Sequence, residues 1–96
     1  MLVWFIYDIT ENRTRNKIVK IAQRNGLYRV QKSVFLGRID PSRLDEAVLE
    51  SERLLDLKTD SLYVFPMCEK DFKAVILKGQ AFDKKLVTDK VKALFI

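Results

Sequence analysis

The chain opens on an apolar run, Met1 to Ile9, interrupted only by Asp8. Its β-branched and aromatic side chains occupy both parities, which predicts a strand buried on both faces. The period then changes. Between Thr10 and Asn25 the apolar positions Ile18, Ile21 and Ala22 recur at helical spacing. Thr10 stands in the place of an N-cap, and Gly26 where a left-handed residue closes a helix. Leu27–Ile39 is β-rich again and predicts two short strands with a bend near Gln31–Ser33. Asp40-Pro41 pairs a cap with a proline at the first helical position. The helix it starts turns Leu44, Ala47, Val48, Leu54 and Leu55 inward and ends near Asp56. Asp60–Met67 predicts a strand, Phe72–Lys78 a further short strand stopped by Gly79, and Val91–Ile96 an apolar tail that can also be extended.

The order β-α-β-β-α-β with an addition predicts an α+β domain of the ferredoxin-like pattern over residues 1–80, followed by a tail, 81–96. Two helices on one sheet face leave the other face bare. Alternation offers no polar side to expose: Leu2, Trp4 and Ile6 oppose Val3, Phe5 and Tyr7, and Leu62 and Val64 oppose Tyr63 and Phe65. Burying such a side chain stabilises by about 1.5–3 kcal/mol, so a partner is expected on that face. A second copy is the simplest one, giving a symmetric homodimer through the sheet face. The tail is then a candidate extra C-terminal strand at the dimer interface.

Ninety-six residues make one domain. Hydrophobic residues at 48% and charged residues at 32% give the balance of a soluble globular chain. The first apolar run is too short to span a bilayer and lacks a basic segment ahead of it, so a cytoplasmic protein is expected. The single cysteine, Cys68, excludes an internal disulfide and a cysteine-built zinc site. With no histidine in the chain, any enzyme here uses carboxylates with a hard cation, or Lys, Tyr or Ser.

Net charge is +5, unevenly spread: residues 1–39 carry eight basic and two acidic side chains, and residues 40–60 three basic and seven acidic. One face therefore attracts polyanions, unless the charges merely solvate the surface. On the first helix Arg13, Lys17, Lys20 and Arg24 recur at steps of four, three and four, forming one basic stripe; Arg15 and Arg29 can add to it. Such a stripe is either an ordinary solvated helix face or a contact for phosphates of RNA or DNA.

Asp8 ends an otherwise apolar strand, where an unpartnered carboxylate is costly. It either caps the helix or pairs with an arginine, or a two-fold axis brings two copies together. Two facing carboxylates repel unless a cation lies between them, and oxygen ligands with waters suit Mg²⁺ or Mn²⁺. Ser33 and Gln31 can orient water or phosphate. Phe35 and Tyr7 either pack in the core or stack on a base.

Three segments carry a resemblance: Val3-Trp4-Phe5-Ile6-Tyr7-Asp8-Ile9, Gly26 to Phe35 around Arg29-Val30-Gln31-Lys32-Ser33-Val34-Phe35, and Asp60 to Cys68 around Asp60-Ser61 and Pro66. Together they resemble the second core protein of CRISPR spacer acquisition, a family of small ferredoxin-like CRISPR-associated endonucleases, over roughly residues 1–80. The resemblance implies a dimer sharing one Mg²⁺ between two Asp8 side chains. It implies metal-dependent cleavage of single-stranded RNA or double-stranded DNA, with supporting roles for Tyr7, Arg15, Arg29, Ser33 and Phe35. It also implies a scaffold that binds pre-spacer DNA and bridges subunits of the CRISPR integrase. Many members have further acids after the strand-end aspartate where this chain has Ile9-Thr10-Glu11-Asn12, so no second metal ligand is implied there. Two alternatives to an endonuclease stay open: a non-catalytic scaffold, and a ribonuclease toxin of the same fold.

Overall fold

The computed structural model describes residues 1–76 and 78. Seven elements succeed one another: β1 (Leu2–Asp8), α1 (Asn12–Arg24), β2 (Tyr28–Gln31), β3 (Val34–Arg38), α2 (Pro41–Leu54), β4 (Ser61–Met67) and α3 (Glu69–Lys73). The strands form one antiparallel sheet in the order β2-β3-β1-β4. β1 is therefore central, with β3 and β4 beside it, and a register irregularity between Arg29 and Gln31 marks the β2–β3 pair.

Because β1 is covered on both sides, both parities of its sequence are apolar. Val3, Phe5 and Tyr7 join Ile18, Ile21 and Ala22 of α1, Leu44 and Ala47 of α2, and Phe35 of β3 in the main core. Leu2 and Trp4 form a second cluster with Leu36 on the opposite face. Burial of these side chains, at about 25 cal/mol per Å² of apolar surface, is the main driving term for the domain.

The first helix ends for a local reason. Asn25 closes α1, and Gly26 comes next at φ +81°, a backbone value that disfavours any other residue. The Gly26 N–H then reaches the Gln23 carbonyl at 3.0 Å and the Leu27 N–H the Ala22 carbonyl at 3.1 Å, the paired closure of a Schellman turn. Gly37 of β3 allows this corner to pass close: a Cβ there would lie 3.0 Å from Leu27 Cδ2 and 3.2 Å from the Gly26 carbonyl oxygen.

Two expectations change, and the start of α2 holds. Thr10 does not cap α1; the N-cap is Glu11, without a side-chain bond, and the Thr10 N–H instead donates to Asp60 Oδ1 at 3.1 Å. Asp40 is the N-cap of α2 and Pro41 opens the helix, as expected, though the Asp40 side chain makes no cap bond. Residues 69–73 are the short helix α3, where a strand is predicted from Phe72 onward. Alternating charges in Glu69-Lys70-Asp71 suit a helical turn with a Glu69–Lys73 ion pair at 3.2 Å. Phe72 and Val75, three apart, then fall together on the Trp4–Leu36 cluster.

That packing covers part of the sheet face expected to be bare. The Trp4 and Phe72 rings lie 6.3 Å apart, and the Trp4 indole N–H donates to Met67 Sδ at 3.1 Å. Tyr63 and Phe65, which neighbour Ile6 and Trp4 in the β1–β4 register, stay about half exposed with their rings parallel and 6.4 Å apart between centroids. The apolar tail Val91–Ile96, the bound at residue 80 and the segment 81–96 lie outside the described residues. Among the described residues no helix is long and apolar enough to cross a membrane.

Asp60 joins two loops. Its Oδ1 accepts the Thr10 N–H, and its Oδ2 accepts the Asp56 N–H at 3.0 Å. These hydrogen bonds, the Asp56 one foremost, favour the carboxylate and hold Asp60 below its ordinary value of 3.8. A depressed carboxylate contributes stability that is complete above the unfolded value and lost as the pH falls through the folded one. The melting-temperature gap between the protein and Asp60→Asn is thus expected to be constant above about pH 5 and to close on acidification towards pH 3. Thermal melts across that range check it, and a gap that widens in acid contradicts it.

Candidate functional site

At the end of β1 the sheet, α1 and the β2–β3 turn enclose a cleft of about 570 Å³. Tyr7, Asp8, Arg15, Arg29 and Ser33 all line it, joined by Asn12, Asn16 and Lys32. Five of the six side chains singled out for chemistry are therefore neighbours. The sixth, Phe35, has no exposed surface. It packs beneath the cleft, 6.3 Å from the Tyr7 ring, with the Arg29 guanidinium 5.8 Å from its centroid. A ring enclosed on all sides cannot stack on a base, so Phe35 supports the site through packing and a cation–π contact.

Strand alternation explains why Tyr7 and Asp8 behave differently. Tyr7 lies on the helix-covered face, 3% exposed, whereas Asp8 lies on the other face with Ile6 and is exposed. Asp8 is opposite Ser61, the first residue of β4. It neither caps α1 nor pairs with an arginine. The side of the sheet that it shares is the one carrying half-exposed Tyr63 and Phe65.

The Lys32 carbonyl organises the turn. It accepts the Tyr7 hydroxyl at 2.7 Å, Arg29 Nη2 at 2.7 Å and Arg29 Nε at 3.1 Å. The Tyr7 N–H donates to the Ser33 carbonyl at 3.0 Å, fixing the next residue too. Across the cleft Arg15 Nη1 donates to the Ile9 carbonyl at 3.0 Å. A guanidinium has five donors, so both arginines keep others for an oxyanion while their backbone bonds hold them in place. The cleft thus pairs one exposed carboxylate with Arg15, Arg29 and Lys32, a balance that favours a phosphate.

The α1 stripe is a separate surface. Arg13, Lys17, Lys20 and Arg24 are all exposed. On an ideal helix they lie roughly 120° round from Asn12, Arg15, Asn16 and Val19, which face the cleft. Within the stripe, Arg24 is neutralised by Glu50 of α2 at 2.6 Å, which leaves Arg13, Lys17 and Lys20 as its open charges among the described residues. Asn12 and Asn16 are legible in the sequence as a polar pair one turn apart beside Arg15. The Lys32 carbonyl carries no side-chain signal, and Asp60 is marked only by its place before a strand and by the Asp60-Ser61 pair within the family resemblance.

Could one chain hold a divalent cation? Among the described residues no group of three His, Cys, Asp or Glu side chains could do so. Mg²⁺ keeps several waters and accepts one or two carboxylates, so a lone exposed Asp8 fits it only as half of a site.

The sequence profile of the family described as CRISPR associated protein Cas2 matches residues 1–75. The chain belongs to the Cas2 family. It is 36% identical over 73 residues to a CRISPR-associated endoribonuclease Cas2 of Korarchaeum cryptofilum, covering 74% of this chain and 76% of that protein. To CRISPR-associated endoribonuclease Cas2 2 of Pyrobaculum aerophilum it is 44% identical over 54 residues, 56% of this chain and 59% of the relative's length. A Cas1/endonuclease Cas2 fusion of Thermoproteus tenax shares 44% identity over 46 residues, 48% of this chain and 17% of the fusion. The fold is similar to the crystal structure of hypothetical protein TT1823 from Thermus thermophilus, with TM-score 0.70, 32% identity, and 82% and 90% of the two chains covered.

Within this Cas2-family fold Tyr7 is buried and its hydroxyl donates to the Lys32 carbonyl, so it holds the turn. Tyr7→Phe keeps the ring and deletes one donor to the Lys32 carbonyl, which is expected to cost about 0.5–1.5 kcal/mol. Denaturant unfolding measures it, and a midpoint equal to that of the unaltered protein contradicts the role.

Proposed function

We propose that this chain is a CRISPR-associated, Mg²⁺-dependent nuclease of spacer acquisition, hydrolysing phosphodiesters of single-stranded RNA or double-stranded DNA as a ferredoxin-like homodimer. The observation that carries the reading is the position of Asp8, exposed beside two arginines and on the same side of the sheet as the half-exposed aromatics. If two copies close over that side, the apolar surface is buried and each Asp8 gains a twin. The pair would hold the ion through one oxygen-donor side chain from each protomer. When bound, the ion supplies neutralising charge at the phosphodiester and a more acidic water. Arg15 and Arg29 grip the phosphate, held by their carbonyl bonds. Ser33 orients the scissile group, and Tyr7 and Phe35 hold the turn and the floor. The endoribonuclease names of the relatives support the reaction class.

Asp8→Asn is expected to lower Mg²⁺-dependent cleavage by about a hundredfold or more, which converts to roughly 2.7 kcal/mol of barrier. Sedimentation of the same variant should still give a dimer, and chelation of the metal should reproduce its loss of activity. Cleavage that survives both changes would falsify the shared-ion reading.

A second role is favoured by two observations: the α1 stripe is exposed and none of its residues lines the cleft, and one relative joins a Cas1 segment to a Cas2 segment in a single chain. In this reading the protein is also a scaffold, holding pre-spacer DNA by its backbone and contacting the integrase subunit. Substituting Gln for Arg13, Lys17 or Lys20 is expected to reduce the log–log salt slope of duplex binding by about 0.9 each. Cleavage of a short single strand should be unaffected. Equal losses in both assays would show that the stripe and the cleft are one surface.

A further inference from the structure

The backbone pairing of β1 with β4 stops where Asp8 faces Ser61. Asp8 is exposed, so packing does not hold its side chain in place. The two residues after it, Ile9 and Thr10, are held instead by three dissimilar contacts: burial of Ile9, the bond from Arg15 Nη1 to the Ile9 carbonyl, and the Asp60 carboxylate on the Thr10 N–H. Asp60 is the residue just before Ser61. Its side chain therefore adds one more link between the two strands at the point where their ladder has ended. The other carboxylate oxygen takes the Asp56 N–H, so the same group ties in the segment leaving α2. The Thr59 hydroxyl adds a bond at 3.3 Å, and the Asp60 N–H closes on the Asp56 carbonyl at 2.8 Å.

We propose that Asp60 is a positioning residue for Asp8, its carboxylate fixing the Thr10 and Asp56 N–H groups and with them the turn that sets where the Asp8 side chain stands. This rests on Asp8 being the ion-holding carboxylate described above. Asp60 does not line the cleft: it lies in a separate hollow at the β1–α1 turn, beside Glu11, Thr14 and Leu54. Two facing carboxylates that share one ion tolerate little displacement, and a shift of about 1 Å in a reacting geometry costs on the order of 10²-fold. The clamp is partly exposed, so its loss moves the turn without dissolving the core.

The test uses the intact protein and the variants Asp60→Ala and Asp60→Asn, the second keeping one acceptor oxygen. Asp60→Ala is expected to lower kcat for Mg²⁺-dependent cleavage by about 10–100-fold, the range seen when an outer partner of a metal ligand is lost. KM should change less than kcat, since Arg29 is held independently of this turn by the Lys32 carbonyl. Asp60→Asn should recover part of the loss. Mn²⁺ binding should weaken about tenfold in the alanine variant. Hydrogen exchange should accelerate at the Thr10 and Asp56 amides while those of Phe5 and Tyr7 stay protected. If Asp60→Ala does not fold, Asp60→Asn carries the same measurements. A protein that cleaves and depends on Asp8, yet keeps its kcat and Mn²⁺ affinity without the Asp60 carboxylate, overturns this proposal alone. A protein that neither cleaves nor binds Mn²⁺ before any substitution overturns the shared-ion reading and this proposal with it.

Discussion

β1 lies between two antiparallel neighbours and is covered on both faces, and this decides where Tyr7 and Asp8 stand. A strand alternates its side chains with a period of two, so its register decides which of two adjacent residues faces which side. In the observed register Tyr7 enters the helix-covered core and Asp8 emerges on the opposite face. Slipping β1 by one residue would bury the acid and expel the phenol. The apolar residues of both parities penalise that slip, because each set already has its own cluster. An acid can be kept at the end of so apolar a strand because the sheet ladder holds its backbone while its side chain reaches solvent.

Much of this is legible from hydrophobic period and punctuation. The strand–helix–strand–strand–helix–strand order, Gly26 at the end of α1 and Pro41 at the start of α2 each obey a local rule that tertiary structure leaves intact. The turn at Lys32-Ser33 is legible because polar residues interrupt two β-rich runs. The difference at residues 69–73 has a specific cause. Phe72 to Ile76 is rich in β-formers, and the period of so short an apolar run does not separate a strand from one helical turn. The pull of the Trp4–Leu36 cluster on Phe72 and Val75 decides it. Thr10 departs from its expected role because α1 begins at Asn12, which makes Glu11 the N-cap and leaves Thr10 one residue outside it.

The site itself is only half legible. Side-chain identity draws attention to Asp8, Arg15, Arg29 and Ser33, and the fold brings them to one cleft. What holds them there is largely backbone: the carbonyls of Lys32 and Ile9, and the amides of Thr10 and Asp56. Such atoms are present at every position, so no sequence pattern marks them. The separation of the α1 stripe from the cleft is hidden for a different reason. Spacing shows which residues share a helix stripe but not how that stripe is turned relative to the rest of the molecule. Two basic surfaces on one small Cas2-family domain are built on different residues, so substitutions in one leave the side chains of the other unchanged.

The chain has one tryptophan, and it sits beneath α3 with its ring N–H on the Met67 sulfur and Phe72 alongside. Its emission is therefore an optical gauge of how that short helix is seated. Sulfur contact and a dry surrounding give the indole one spectrum, and admission of water gives another. Any event that lifts α3 or closes over the neighbouring aromatics will register in a single fluorophore already built into the central strand, with no label to attach.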